Sequence, residues 1–585
     1  MNRFFSQRRV VISGVALLLL LAAGWVAWQQ RRTTERVAAI PEPPNLSRWP
    51  ARFVEAVNQA TDEARTARNP LEAMVRLEAL YHANGFEAQA ERVVGWLEKH
   101  QPRVARWAYL AADLRIRQSD QDGYERKLRR ALELESTYMP GWIRLGDLRV
   151  ERKQFAEAES CYDRAQALAP GDARTEFAVI SFQAWHGKRG DPRASLRQLC
   201  GRFPGIVQLH ELLSEMETAA GDPAAARREK LRAAAGTRYL DTTDPWLDVL
   251  GLACHDPTRL GLLAYKLQRE ARWVDAEALL THAVGVAPTD AGLRVNLAQV
   301  HEQAGRPAQA LQVLEQAARD IQTDVVLPVQ WARRLSLEHR TDEALAVLRG
   351  ALVRWPADPA LHLALGYTLR DANRHAEALP AFAEAARLDP AQVEPLYYQG
   401  YSLLALGKRE EAKRQVERAL VLRPDYPEAL TLRASLAIEA GEIATAEPLI
   451  KRLYELRPDD PEARVLFATL HLLLGLAQEE AGAPDQAERL YRVGLTAETD
   501  FAPLLRQAGR LAWSRKRWSE AVAYLAKYQI REPADLEALL WYGLALRGMG
   551  QAEPSRALLT QGRSRAEAAG DRSLATQFAR ALQVP

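Results

Sequence analysis

The sequence predicts an all-α fold, a solenoid of stacked two-helix repeats behind one apolar N-terminal helix. Three observations predict it. The first is a period of 34 residues. Gly366, Ala378, Phe382, Ala385 and Pro390 are followed at that interval by Gly400, Ala412, Val416, Ala419 and Pro424. Ala434, Ala446, Ile450, Leu453 and Pro458 then continue the series. The second is helical spacing inside each unit, with Leu365, Leu369 and Ala372 on one helix and Ala378, Phe382, Ala385 and Leu388 on the next. The third is punctuation. Asn373, matched by Gly407, Gly441 and Gly550 in sister units, sits where the chain must turn left-handed between two helices, and Pro390 ends the second helix. Small residues at 366 and 378 let the two backbones approach, and Phe382 and Leu388 fill the space between them. One such hairpin cannot bury its apolar face alone, so stability must come from stacked neighbours.

The elements follow in order. Residues 1–9 carry Arg3, Arg8 and Arg9 and are expected to stay in the cytoplasm. Residues 10–28 form nineteen positions without a charge, with Trp25 and Trp28 at the far end. At about 1.5 Å per residue this nearly crosses a hydrocarbon core of about 30 Å. Arg31, Arg32 and Arg36 follow, so charge counting alone leaves orientation open, and the first-span rule favours the N-terminus inside. A cleaved signal peptide, with Ala22 and Gly24 as the small residues, is the competing reading. Residues 29–50 are rich in proline and read as an extended spacer. A helix from about 51 to 68, with Phe53, Val57 and Ala60 on one face, is expected to cover the first repeat.

Repeats start near 71, 105, 139, 173 and 207, giving a first block over 51–238. The phase breaks at 239–256, where sixteen residues are inserted and Asp244 precedes Pro245 as a helix N-cap. This is read as a seam open to bending. A second block, 257–569, has units at 257, 291, 325, 359, 393 and 427, then seven extra residues, then units at 468, 502 and 536. The seven residues are expected to lengthen one helix by two turns. Residues 570–585 form a lone amphipathic helix that would cap the open end.

Composition excludes several function classes. With 78 basic and 75 acidic residues among 585, there is no electrostatic case for nucleic acid. Cys161, Cys200 and Cys254 form no C-x-x-C pair and no disulfide framework. No phosphate loop, H-E-x-x-H or G-x-S-x-G motif occurs. Cys254-His255-Asp256 lacks a further ligand at metal spacing and is read as structural. His210-Glu211 and His301-Glu302 are read as surface pairs on helices, and Gly187-Lys188 and Gly407-Lys408 as hairpin turns. The expectation is therefore no enzyme, no cofactor and no metal.

The repeat marks quoted above resemble the tetratricopeptide repeat (TPR) superfamily over about 71–569. The resemblance implies a right-handed superhelix whose concave face is lined by the first helix of each repeat and binds peptides or helices of other proteins. An anchor followed by such repeats also resembles bacterial envelope-assembly scaffolds. One such family ends in a four-cysteine metal site, which is absent here. Chaperone-binding members hold a terminal carboxylate with paired Lys and Asn. The matching positions here are Val75 and Ala79, Tyr109 and Asp113, and Ile143 and Asp147, so that clamp is missing.

By the same resemblance the groove is lined at the second, fifth, ninth and twelfth positions of each first helix. Those positions hold Arg333, Tyr367, Arg370, Tyr397 and Tyr401 in three consecutive repeats, with Arg506, Arg510 and Trp513 as a second, smaller patch. Tyrosine and arginine are residues that protein interfaces favour. Tyr397 and Tyr401 are equally suited to packing between neighbouring first helices. The resulting expectation is a scaffold held in the inner membrane by residues 10–28, with its array outside the cytoplasm and other proteins as partners. The alternative is an accessory subunit of an envelope assembly or export machine that delivers substrate to a separate enzyme.

Overall fold

The computed structural model describes residues 37–583 apart from 187–189 and 242, together with Trp25 and Thr34. The span expected at 10–28 therefore lies outside the described residues except for Trp25. Among the described residues no helix is long and apolar enough to cross a membrane. These residues are helical nearly throughout, with a single β-bridge between Ile206 and Arg238.

The chain divides into two compact units at 330/331 rather than at the inserted segment 239–256. In the first unit, helix Ala51–Thr66 precedes the hairpins. These pair Leu71–Ala83 with Glu87–His100, Ala105–Arg117 with Gln121–Leu134, and Met139–Glu151 with Phe155–Leu168. Ala173–Trp185 with Pro192–Arg202 and Val207–Ala219 with Pro223–Ala235 continue the series. Beyond the insertion come Pro257–Arg269 with Trp273–Val286 and Ala291–Gln303 with Pro307–Asp320. The second unit holds the hairpins from Pro359–Asp371 with His375–Leu388 through Leu536–Gly548 with Ala552–Ala568, closed by Arg572–Gln583.

The hairpin turn repeats in backbone conformation more strictly than in sequence. A residue with positive φ stands at 85, 119, 153, 221, 271, 305, 339, 373, 407, 441, 482, 516 and 550. The interval is 34 residues from 271 to 441 and from 482 to 550. Ala271 follows Gly221 by 50, and Gly482 follows Gly441 by 41. These are the insertions of sixteen and seven residues. The second extends helix Pro461–Glu480 to 20 residues, against 13 in Pro359–Asp371. At Asn373 (φ 58°) its own N–H donates to Arg370 O, and Arg374 N–H donates to Leu369 O, both at 2.8 Å. The turn thus satisfies carbonyls that the ended helix leaves open. Ala271 adopts φ 58° without a side chain that could hydrogen-bond locally. Ala271→Gly is expected to stabilise that repeat by about 0.5–1 kcal/mol, read as a rise in the first unit's denaturation midpoint. An unchanged or lower midpoint would contradict this reading of the turn.

The two helices of a hairpin meet at one size-matched pair sixteen residues apart. A Cβ placed on Gly366 would lie 2.4 Å from the Phe382 ring, on Gly146 2.7 Å from Tyr162, and on Gly475 2.2 Å from Tyr491. Where the first residue is Ala434, its counterpart is the smaller Ile450, and both are buried. Glycine is likewise forced by close approach where the counterpart is smaller, since a Cβ on Gly400 would lie 2.6 Å from Val416.

Several sequence readings are corrected. The proline-rich segment is not a free spacer over its described part. Ile40 and Leu46 are buried, and Trp49 lies 4.7 Å from Phe53 and 5.2 Å from Phe86. Proline keeps that backbone extended, but its apolar residues still find the uncovered end of the first repeat. His210 and His301 are not surface residues. His210 is 2% exposed and meets Glu229 at 2.7 Å, and His301 lies 3.8 Å from Glu277. Their partners come from other helices, not from the adjacent Glu211 and Glu302. The three cysteines are free and buried. Gly187 and Lys188 lie outside the described residues, whereas Gly407 makes the expected turn at φ 77°.

The inserted segment is not an open joint. Asp244 caps the short helix Pro245–Asp248, which runs into a 3-10 turn, Val249–Ala253. Leu250 and Cys254 are buried in one core that also contains Met74, Leu77, Leu80 and Leu114. Asn84 donates to Ala253 O at 2.8 Å and accepts from His255 N at 2.6 Å. The chain returns at 249–256 to pack against its own first repeats. That return supplies burial where the broken phase denies the usual repeat-to-repeat stacking.

Candidate functional site

In the second unit, the first helices Pro359–Asp371, Glu394–Ala405 and Pro427–Glu439 follow one another. Arg333 is exposed on the preceding helix Val326–Leu337, where the Ser336 and Thr368 hydroxyls stand 3.4 Å apart. Tyr367 is half-buried, 4.8 Å from Tyr398 and 5.9 Å from Phe382. Tyr397 lies 4.8 Å from Tyr398 and 5.6 Å from Tyr426, both edge-on. The result is a continuous run of rings from Phe382 to Tyr426. The Arg370 guanidinium lies 4.5 Å from the Tyr398 centroid and 5.1 Å from that of Tyr367, and pairs with Asp371 at 2.6 Å. Tyr401 is 44% exposed, with the His375 ring 6.1 Å away.

The structure therefore brings Tyr367, Arg370 and Tyr397 together through a residue that positional reading missed, Tyr398. Tyr397 and Tyr367 spend much of their surface on neighbouring rings, whereas Tyr401 and Arg333 face solvent. The signal for Tyr398 was present in the Tyr397-Tyr398 doublet, but a groove register admits only one of two adjacent residues. Burial, then the neighbouring Tyr398 and Glu428, pushes the Tyr397 hydroxyl up to about 12. Tyr397 therefore stays neutral at ordinary pH, and Arg370 is held on the ring run by cation–π contact.

The second patch is used differently. Arg506 pairs with Asp535 at 2.7 Å and Glu537 at 2.8 Å across the repeat boundary, and lies 4.9 Å from the Trp541 ring. Arg510 pairs with Glu479 of the preceding repeat, which also accepts from the Tyr491 hydroxyl. Trp513 stacks at 6.0 Å on Trp541. These residues join repeats to one another.

A further polar constellation stands in the first unit, around the first helices of the repeats at 71, 105 and 139, with His82, Tyr109 and Asp113 at groove positions. The Tyr109 hydroxyl donates to Asp244 Oδ2 at 2.6 Å, and the Tyr138 hydroxyl donates to Oδ1. Arg144 stands 3.1 Å from the same carboxylate and 3.5 Å from Asp113. Trp246 stacks on Tyr138 at 3.6 Å. Burial raises both tyrosine pKa values, so each hydroxyl remains a donor. Asp113 in turn meets His82 Nε2 at 3.0 Å, and Glu78 meets His82 Nδ1 at 2.7 Å. Among the described residues, no group of three histidine, cysteine or acidic side chains is arranged to hold a metal ion.

Two family models described as tetratricopeptide repeat match the chain, one at 330–393 and 397–461 and the other at 267–326. No curated protein matches. Among solved structures, the chain is similar to the Cut9–Hcn1 hetero-tetramer of the APC/C. That likeness has 16% identity, 85% of this chain, 93% of that one and a TM-score of 0.29. YrrB, a TPR protein with a peptide-binding site called unusual, is 22% identical over 30% of this chain and 91% of its own, at 0.25. PilF of Pseudomonas aeruginosa is 18% identical over 36% and 95%, at 0.30. Scores this low leave the assignment to the family models. Together with the 34-residue recurrence of positive-φ turns, those models establish tetratricopeptide repeats over 267–326, 330–393 and 397–461.

Proposed function

We propose that the protein is a non-catalytic scaffold that binds segments of other proteins along the repeats at 325–426. It is tethered to the inner membrane through residues 10–28 with the array outside the cytoplasm. The observation that carries the binding face is the ring run from Phe382 to Tyr426, with Arg370 seated on it and Tyr401 exposed beside it. Aromatic rings offer wide contact area at low side-chain entropy cost, and a bound arginine presents planar donors to a backbone or carboxylate. An extended or helical partner segment lying across Arg333, Tyr367, Arg370, Tyr397 and Tyr401 would meet both.

The test separates surface from packing. Alanine at Arg333 and Tyr401, the two most exposed members, should leave circular dichroism unchanged and lower partner recovery in crosslinked affinity capture from mild detergent. Adding Tyr367→Ala and Arg370→Ala should lower it further, with some loss of stability because those residues pack on Tyr398. Recovery of the same partners at the same yield by the Arg333/Tyr401 variant removes this face from consideration. For the tether, protease added to intact spheroplasts should digest the array. Digestion only after lysis would place it in the cytoplasm.

A further inference from the structure

The first unit contains a groove already occupied by the chain itself. Residues 244–247 lie against the first helices of the repeats at 105 and 139. There the Asp244 carboxylate receives the Tyr109 and Tyr138 hydroxyls and the Arg144 guanidinium. Trp246 stacks on Tyr138 at 3.6 Å and stands edge-on to Tyr109 at 5.3 Å, and its backbone N–H donates to the Tyr138 hydroxyl at 3.2 Å. A carboxylate met by two hydroxyls and an arginine, with an indole two residues later on a tyrosine face, is a side-chain-specific docking of one peptide segment.

The occupant is held unevenly. Downstream, Leu250 and Cys254 belong to the unit's core. Upstream, Thr243, Pro245 and Val249 are exposed, while Asp244, Trp246 and Leu247 engage the groove and two ion pairs flank them, Asp241 with Lys266 at 2.5 Å and Asp248 with Arg272 at 2.7 Å. Release of residues 243–249 would break the Asp244 and Asp248 contacts and unstack Trp246, while Leu250 and Cys254 would stay in the core. The segment also underfills its site. A cavity of about 490 Å³ remains beside it, bordered by Asp113, Arg117, Arg144, Leu247, Leu263 and Arg272.

We propose that the repeats at 71–139 form a second recognition site, held closed by residues 243–249. The occupant it is built for is a partner-protein segment carrying a carboxylate two residues before an indole. The internal segment shows the chemistry the groove accepts. A tethered copy acts at an effective concentration on the order of mM, so it excludes weak ligands. A partner that also fills the adjoining cavity gains contacts the internal segment lacks and displaces it. This site is separate from the Tyr367–Tyr401 face, and either can fail without the other.

The probe is a fluorescent synthetic peptide with the sequence of residues 241–250, titrated into the full chain by anisotropy. Asp244→Asn combined with Trp246→Ala frees the groove, and the peptide should bind this variant at least tenfold more tightly than the wild type. Arg144→Ala in the freed background should abolish that gain. No binding to the freed chain, or equal binding to both chains, overturns the proposal. If the freed chain does not fold, hydrogen exchange on the wild type decides. Peptide at millimolar concentration should accelerate exchange at 243–249 while 105–117 and 139–151 stay protected. Unchanged exchange there overturns the proposal. Sedimentation showing exchange of the segment between two copies would also overturn it, because the occupant would then be a second copy.

Discussion

His82→Ala is expected to destabilise the first unit by about 3–5 kcal/mol, the cost of leaving buried charges without their partner. The His82 side chain is fully enclosed, with Glu78 at 2.7 Å on one ring nitrogen and Asp113 at 3.0 Å on the other. Both nitrogens face carboxylate oxygens, an arrangement that favours the doubly protonated ring. Burial lowers the His82 pKa, but the hydrogen bonds and charges of Asp113 and Glu78 outweigh it, and the net shift is upward from 6.5. Burial would likewise raise Asp113, yet the His82 hydrogen bond and the Arg117 charge hold its carboxyl well below the usual range. Arg117 at 2.7 Å and Arg144 at 3.5 Å also face Asp113.

The direction with pH follows. A folded-state pKa raised above 6.5 gives stability that is complete below 6.5 and lost as pH rises through the folded value. His255, His301 and His471 are shifted down, chiefly by burial, and act oppositely, losing stability on acidification. The informative quantity is therefore a difference. Between the wild type and His82→Gln, the gap in protection of 71–83 and 105–117 should narrow steadily as pH is raised above 6.5. Hydrogen exchange is the measurement, since a solenoid need not unfold in one step. A gap that stays constant with pH would show that His82 is neutral in the folded chain.

Gly366→Leu is expected to cost about 1–3 kcal/mol or more, because the hairpin has no room for a side chain there. Its Cβ alone would stand 2.4 Å from Phe382 Cε1 and 2.5 Å from Cδ1. Phe382 is fully buried, with Tyr367 at 5.9 Å and Tyr398 at 5.7 Å, so its ring cannot yield without disturbing the ring run. Gly350 supplies the control. It lies inside helix Thr341–Arg354, and a Cβ added there would meet nothing within 4 Å, so Gly350→Ala should raise stability by about 0.5–1 kcal/mol. Thermal denaturation of the two variants should move in opposite directions. A Gly366→Leu chain that melts with the wild type would mean the two helices do not meet at this pair.

The period, the hairpin turns and both insertions were legible in the chain because each depends on residues close in sequence. Asn373, Gly407 and Gly441 mark the left-handed turn at their own positions, though Ala271 and Lys516 adopt it too, and Gly366 answers Phe382 sixteen residues away within one hairpin. Extra residues between turns can only lengthen a helix, as at Pro461–Glu480, or leave the array, as at 239–256. The expected groove register also led to Tyr367, Arg370 and Tyr397. It could not separate Tyr397 from Tyr398, because neighbours on a helix point about 100° apart and the rotation of each helix is set by what it packs against. Tertiary structure alone decided the rest. Asp244 meets Tyr109 across 135 residues and Tyr138 across 106, and no local pattern pairs them. The same holds for His82 with Asp113, and for His210 with Glu229 on the facing helix. Burial makes those polar groups seek partners, and only the folded path of the chain determines which ones they reach.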